Sequence, residues 1–203
     1  MLHHRLSFVT HGFRCRFANY LKFLMEFLTT LPTPTQVISM RDAALGQMDF
    51  ARRYTLGLIH EVPDELWQAP AAGIPSNFAW QVGHLAVAQY GLMLFRQRGR
   101  AEGDIELMPG WFRKRYSRGT SPMEDPSPHP DRQTMLGMLE RIHIASMEFM
   151  GQTPASVLLE PTEMPYTAWP IKLGASLFCP LHESIHSGQI GLLRRAHALP
   201  PVR

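Results

Sequence analysis

Seventeen prolines, most of them gathered at 32–34, 63–75, 122–130 and 154–170, cut this chain into a few long proline-poor stretches. Proline lacks a backbone N–H and collides with the preceding helical turn, so the stretches between clusters are where long helices can form. Four of them carry apolar residues at helical spacing. The first runs from about Thr35 to Glu61, with Ala44, Met48, Ala51, Thr55, Leu58 and Ile59 on one face and Pro63 beyond its end. The second runs from about Asn77 to Gly99, capped by Ser76 or Asn77, with Ala79, Val82, Leu85, Ala86, Gln89, Met93 and Leu94 repeating. The third spans about Asp131 to Gly151 and the fourth about Leu173 to Ala198, ahead of Pro200 and Pro201. Pro180 falls inside the fourth pattern, where it either occupies the first turn or kinks the helix just before His182.

Strand candidates are limited to short extended pieces. The expected fold is all-α, a four-helix bundle with long connections, whose sites are built from side chains on facing helices. The connections are 62–76, 100–130 and 152–172; the longest, irregular by its sequence, holds Trp111, Phe112 and Tyr116 among basic residues and is placed to wrap a pocket mouth. At 203 residues and 45% hydrophobic, the chain has enough apolar material for one real core.

Charge divides the chain unevenly. Arg5, Arg14, Arg16 and Lys22 against Glu26 account for the whole net charge of +3, leaving the rest balanced between basic and acidic groups. A nucleic-acid partner would require a basic face, and the balanced body has none. Periodic, balanced sequence begins at Met40. We therefore expect residues 40–203 to form the bundle domain and 1–39 an N-terminal extension: a targeting peptide, an extra amphipathic helix or, the reading we favour, codons upstream of the true start. Cys15 and Cys179 are too far apart to suggest a disulfide framework and fit a cytoplasmic protein. No run of 18 apolar residues suggests a membrane span.

The chemistry is concentrated in His182-Glu183-Ser184-Ile185-His186. Histidines four apart lie one turn apart on one helix face, the spacing with which two imidazoles grip one metal ion. The same H-E-x-x-H string occurs in zinc peptidases, with the glutamate as general base. Their third ligand is missing here. Leu192 stands where an extended motif places histidine, no acidic residue follows Glu183, and His197 is about three turns further on. A third ligand must come from upstream, on another helix. His84, on the core-facing side of the second segment, is the candidate. Alone it would read as a satisfied core histidine; beside a buried histidine pair, a shared metal relieves the cost of burying all three.

Glu183 has three readings: a general base, an outer-shell partner of a ligand, or a surface carboxylate. Gln189, about one turn beyond His186, is placed to hydrogen-bond a ligand or substrate, or to pack between helices. Cys179, three before His182, reads as a small buried hydrophobe ahead of a metal ligand. Gly188 suggests close helix contact, and Arg194 and Arg195 suit the negative end of the helix dipole.

The strings Ala79-Trp80-Gln81-Val82-Gly83-His84-Leu85-Ala86 and His182-Glu183-Ser184-Ile185-His186-Ser187-Gly188-Gln189-Ile190, the latter followed by Leu192-Leu193-Arg194-Arg195, resemble the DinB-like superfamily, which includes bacillithiol and mycothiol S-transferase-like proteins. Phe50 to Thr55 also resembles that family's first helix, so the likeness runs from about Met40 to Val202. It implies a four-helix bundle with a three-histidine divalent metal site at His84, His182 and His186. The ion is expected to be zinc or nickel, with iron or manganese as alternatives. The resemblance further implies thiol transfer, isomerisation or hydrolysis of a small molecule, a low-molecular-weight thiol as cosubstrate, and a homodimer. Three imidazoles leave a fourth position open for water or substrate. The expectation is a metal-dependent thiol S-transferase or hydrolase acting on a small electrophile. The alternatives are a non-catalytic dimeric metal-binding or sensing protein and, behind it, a zinc peptidase. A fourth protein ligand would mark a closed structural site.

Overall fold

A computed structural model of the chain describes residues 30–123, 125, 127–162 and 169–202. Residues 1–29, most of the expected extension, lie outside them. The regular secondary structure of the described residues is all helical, apart from two isolated antiparallel bridges, Ala71 with Ile74 and Pro161 with Ile171.

Four long helices carry the fold. Helix α1 spans Pro34–His60, with proline in the first turn where its missing N–H costs nothing. It thus starts upstream of Met40, the expected domain boundary, and Val37 in its first turn is fully buried. Helix α2 starts at Phe78, capped by Asn77, whose side chain accepts from the Trp80 N–H (2.8 Å), and runs to Tyr90. It continues through a π-helical segment, Gly91–Phe95, to a last α turn, Arg96–Arg98. The uniform periodicity of the sequence gave no sign of that interruption. Two short helices follow, α3 (Asp104–Leu107) and α4 (Gly110–Tyr116), so the 100–130 connection is less irregular than expected. Burial of Phe112 and Tyr116 explains the difference, because these aromatics dock α4 on the core.

Helix α5 spans Arg132–Gln152, capped by Asp131 on the Thr134 N–H (2.7 Å), and a single turn, α6, covers Ala155–Leu158. Helix α7 spans Lys172–Ala196. Pro180 is deep inside α7, beyond the first turn, where it removes the N–H that would bond the Ser176 carbonyl. No helix among the described residues is long and apolar enough to cross a membrane.

Helix α1 packs chiefly on α7 and α2 chiefly on α5; α2 also meets α7, and α1 meets α5. The apolar core is in two parts. One gathers Leu58, Ile59, Phe78, Val82, Leu85, Tyr116, Leu139 and Ile190, the other Val37, Met48, Met93, Met150, Leu173 and Cys179. Between them in sequence, on the same helices, sit buried polar residues. Arg52 of α1 forms a two-pronged ion pair with Glu183 of α7 (2.8 and 3.1 Å), and also donates to Gln89 Oε1 (2.9 Å) and the Leu139 carbonyl (3.2 Å). Thr55 and Ser187 share a hydrogen bond of 2.8 Å. This layer sets the axial register of the helices. A slip of one residue would strand a buried guanidinium and a buried carboxylate, each costly without its partner.

Candidate metal centre

Helices α2 and α7 bring His84, His182 and His186 together, with one ligand atom from each inside a span of 4.8 Å. Ring centroids are 4.5 Å apart for the α7 pair, and His84 is 4.6 Å from His186 and 5.2 Å from His182. One turn of α7 delivers two rings, as the spacing of four predicts, and the α2–α7 contact supplies the third. Among the described residues no fourth histidine, cysteine or carboxylate joins the cluster.

Two of the rings are oriented by acceptors. His84 Nδ1 lies 2.8 Å from the Tyr116 carbonyl oxygen. His186 Nδ1 lies 2.7 Å from Gln81 Oε1, while Gln81 Nε2 donates to Ser76 Oγ (2.8 Å) and Gln189 Oε1 (3.0 Å). A carbonyl oxygen only accepts, so each Nδ1 must carry the proton and each Nε2 presents a lone pair. This is how metal-ligating histidines are ordinarily held. Trp80 stacks on His84 at 4.8 Å and 7° between planes, and its Nε1 donates to Thr120 Oγ1 (3.2 Å), joining the triad to the segment after α4.

Burial favours the neutral rings that a metal requires. It lowers the pKa of His84 against the opposing bond to the Tyr116 carbonyl. His182 is pushed down to about 4, by burial first and then by His84. His186 is pushed down to about 3, by burial first and then by His84 and His182.

The histidines border an open cleft of about 750 Å³, lined on its apolar side by Val87, Leu92, Phe95 and Phe178. Glu183 does not line it. Its carboxylate is buried toward α1 and held at both oxygens by Arg52, so it is neither a surface carboxylate nor aimed at the cleft. A helix that shows 182 and 186 to the cleft turns 183 roughly 100° away. Gln189 bonds Gln81, the residue that holds His186. Cys179 is buried in the second apolar cluster, and burial pushes its thiol pKa up.

Close approach falls at Gly83 rather than Gly188: a β-carbon at 83 would run into the Tyr116 ring, whereas one at 188 would meet open space. Arg194 is buried and donates to the carbonyls of Leu58 (2.6 Å) and Pro200 (2.7 Å), a structural role beyond its suitability for the helix end. Gln81, the Tyr116 carbonyl and Arg52 were not foreseen. Only Gln81 left a trace, a glutamine one turn before His84 on the same face.

The family model of the DinB superfamily matches residues 47–190. The chain belongs to the DinB superfamily. That match takes in all three histidines, Gln81, Gly83, Arg52 and Glu183. A search of curated proteins finds no match to this DinB-family chain.

Proposed function

We propose that this DinB-family protein holds one divalent metal ion through Nε2 of His84 and His186 together with a ring nitrogen of His182, and that it is an enzyme of thiol S-transfer or hydrolysis acting on a small electrophile. One observation carries the reading: a three-histidine cluster, two of its rings fixed with Nε2 free of protons, borders an open cleft. The donor set suits the ion. Imidazole accommodates zinc, nickel and iron alike, and three protein ligands with open space beside them are the pattern of a catalytic rather than a closed site. A bound ion would supply Lewis acidity, making water or a thiol acidic enough to react near neutral pH.

The chain's own residues do the rest. Gln81 and the Tyr116 carbonyl hold two ligands in the correct tautomer, Trp80 shields one face of His84, and Phe178 and Leu92 give the cleft apolar walls. Glu183, committed to Arg52, has no role at the reacting atoms in this scheme, which sets it apart from a zinc peptidase.

The test is elemental analysis of protein purified without chelator or a histidine tag, alongside His84→Ala and His182→Ala. About one divalent ion per chain, lost in both variants, is expected. A metal-free wild type, or a His84→Ala protein that keeps its ion, would overturn the site. On loaded protein, thiol consumption by a small electrophile and ester hydrolysis then separate transferase from hydrolase; inertness in both would leave a non-catalytic metal-binding protein.

A further inference from the structure

The cleft beside the histidines is charged in one sense only. Arg96, Arg113 and Arg118 line it, and no aspartate or glutamate does, although basic and acidic groups balance across the body of the chain. Among the described residues neither Arg96 nor Arg113 pairs with a carboxylate. Arg96 donates from Nη1 to the Gly91 carbonyl (3.1 Å), and partial burial lowers its pKa with no acid to offset it.

The backbone positions Arg96 through an irregularity. Twelve residues separate it from His84, which in an unbroken α-helix would leave the two about 120° apart around the axis. The π segment Gly91–Phe95 has a wider turn, with i to i+5 bonding, and reduces that offset to about 30°. His84, Ala88, Leu92 and Arg96 consequently line the same cleft. Arg113 reaches it from α4, one turn before Tyr116, whose carbonyl orients His84. Because Arg96 folds back to Gly91, its guanidinium lies roughly 10 Å along the axis from His84.

We propose that the substrate of this cleft carries an oxyanion, a carboxylate or phosphate, bound by Arg96 and Arg113 at one end while its electrophilic centre lies at the histidines, with an apolar portion against Leu92, Phe95 and Phe178 between them. The proposal rests on the metal-site reading above for the reacting end. The arginine end stands on the lining of the cleft. Guanidinium forks match carboxylate and phosphate geometry, and apolar walls strengthen the attraction by excluding water.

The test is calorimetric titration of full-length protein with phenylbutyrate, its neutral amide and the corresponding alkyl phosphonate, with metal content measured on every sample. Wild type should bind the carboxylate or the phosphonate about tenfold or more tighter than the amide, and whichever anion binds tighter identifies the source. Arg96→Gln/Arg113→Gln should bring anion and amide to within about twofold, and Arg96→Lys/Arg113→Lys should restore part of the preference. Arg113→Gln alone, at an exposed position, should weaken anion binding several-fold even if the double variant does not fold. Equal binding of amide and anions by wild type, or a preference that survives both Arg113→Gln and the double substitution, overturns the proposal. Loss of metal in His84→Ala with the anion preference intact supports both site readings. A metal-free wild type that still prefers anions sinks the metal site while upholding the arginine end.

Discussion

Gly83 and Tyr116 touch where no side chain fits between them: a β-carbon on Gly83 would run into the tyrosine ring. The tyrosine's carbonyl in turn receives the Nδ1 proton of His84, the next residue along α2. Helix packing and ligand orientation are thus set at one contact. Gly83→Ala should force α4 outward, costing about 1–3 kcal/mol as an overpacked core does. It should also weaken metal binding, since His84 loses its acceptor. Urea melts and a metal titration on the same protein check both. Unchanged metal affinity alongside the stability loss would separate the two functions of the contact.

Gln81 touches the ligand without belonging to the triad. Gln81→Leu keeps the side-chain bulk but removes the acceptor from His186 Nδ1 and leaves Gln189 and Ser76 without their shared partner. Metal affinity should fall roughly 10- to 100-fold, the usual effect of removing an outer hydrogen bond from a ligating histidine. Competition with a colorimetric chelator measures it. An affinity within twofold of wild type would show that Gln81 does not orient the ligand.

Glu183 and Arg52 are a buried pair at 2% and 4% side-chain exposure. Glu183→Leu leaves the guanidinium buried without its countercharge and should cost about 3–5 kcal/mol. Arg52→Met with Glu183→Leu should recover much of that, because both charges leave together. Metal content of the double variant should remain near wild type. If Glu183 acted instead as a general base, turnover in the double variant would collapse while its stability and metal were retained.

How much of this was legible beforehand depends on what kind of atom does the work. The four long helices showed in the sequence because apolar period and proline placement are local signals. His182 and His186 showed because a helix converts a spacing of four into a shared face, and His84 followed by asking which upstream helix offers an imidazole. The Tyr116 carbonyl did not show, since a main-chain oxygen carries no residue-type signature. Glu183 was placed beside the chemistry by its motif neighbours, but its partner, Arg52, is 131 positions away in the chain. Adjacent residues on a helix face different ways, and the motif string hides that. The π segment was invisible because Leu92, Met93 and Leu94 continue the apolar helical pattern and the extra residue is absorbed by packing.

Acid should destabilise the metal-free protein more steeply than its surface charge implies. His129 is buried between Tyr116 (2.9 Å from the hydroxyl to Nδ1) and Asn77, and burial pushes its pKa down to about 4. An unfolded histidine titrates near 6.5, so between about 6.5 and 4 the unfolded chain binds the extra proton and the folded chain does not. The stabilisation is complete above pH 6.5 and lost as pH falls toward 4. The three cleft histidines shift the same way. In chelator, the urea midpoint should drop markedly from pH 7.5 to 5, and His129→Gln should flatten that drop. A parallel profile for the variant would assign the acid sensitivity elsewhere.

The π turn makes the cleft alterable by a kind of change that substitution scans do not sample. Loss of a single codon within Gly91–Phe95 would let α2 relax to regular pitch with eleven residues from His84 to Arg96, an offset of roughly 20° that keeps Arg96 on the cleft side. Such a deletion should keep both wild-type metal content and the preference for anions, whereas a one-residue insertion after Phe95 should keep the metal and erase the preference, since it turns Arg96 by roughly 100°. Descendants of this chain could therefore inherit the histidines unchanged and diverge in diet through one added residue.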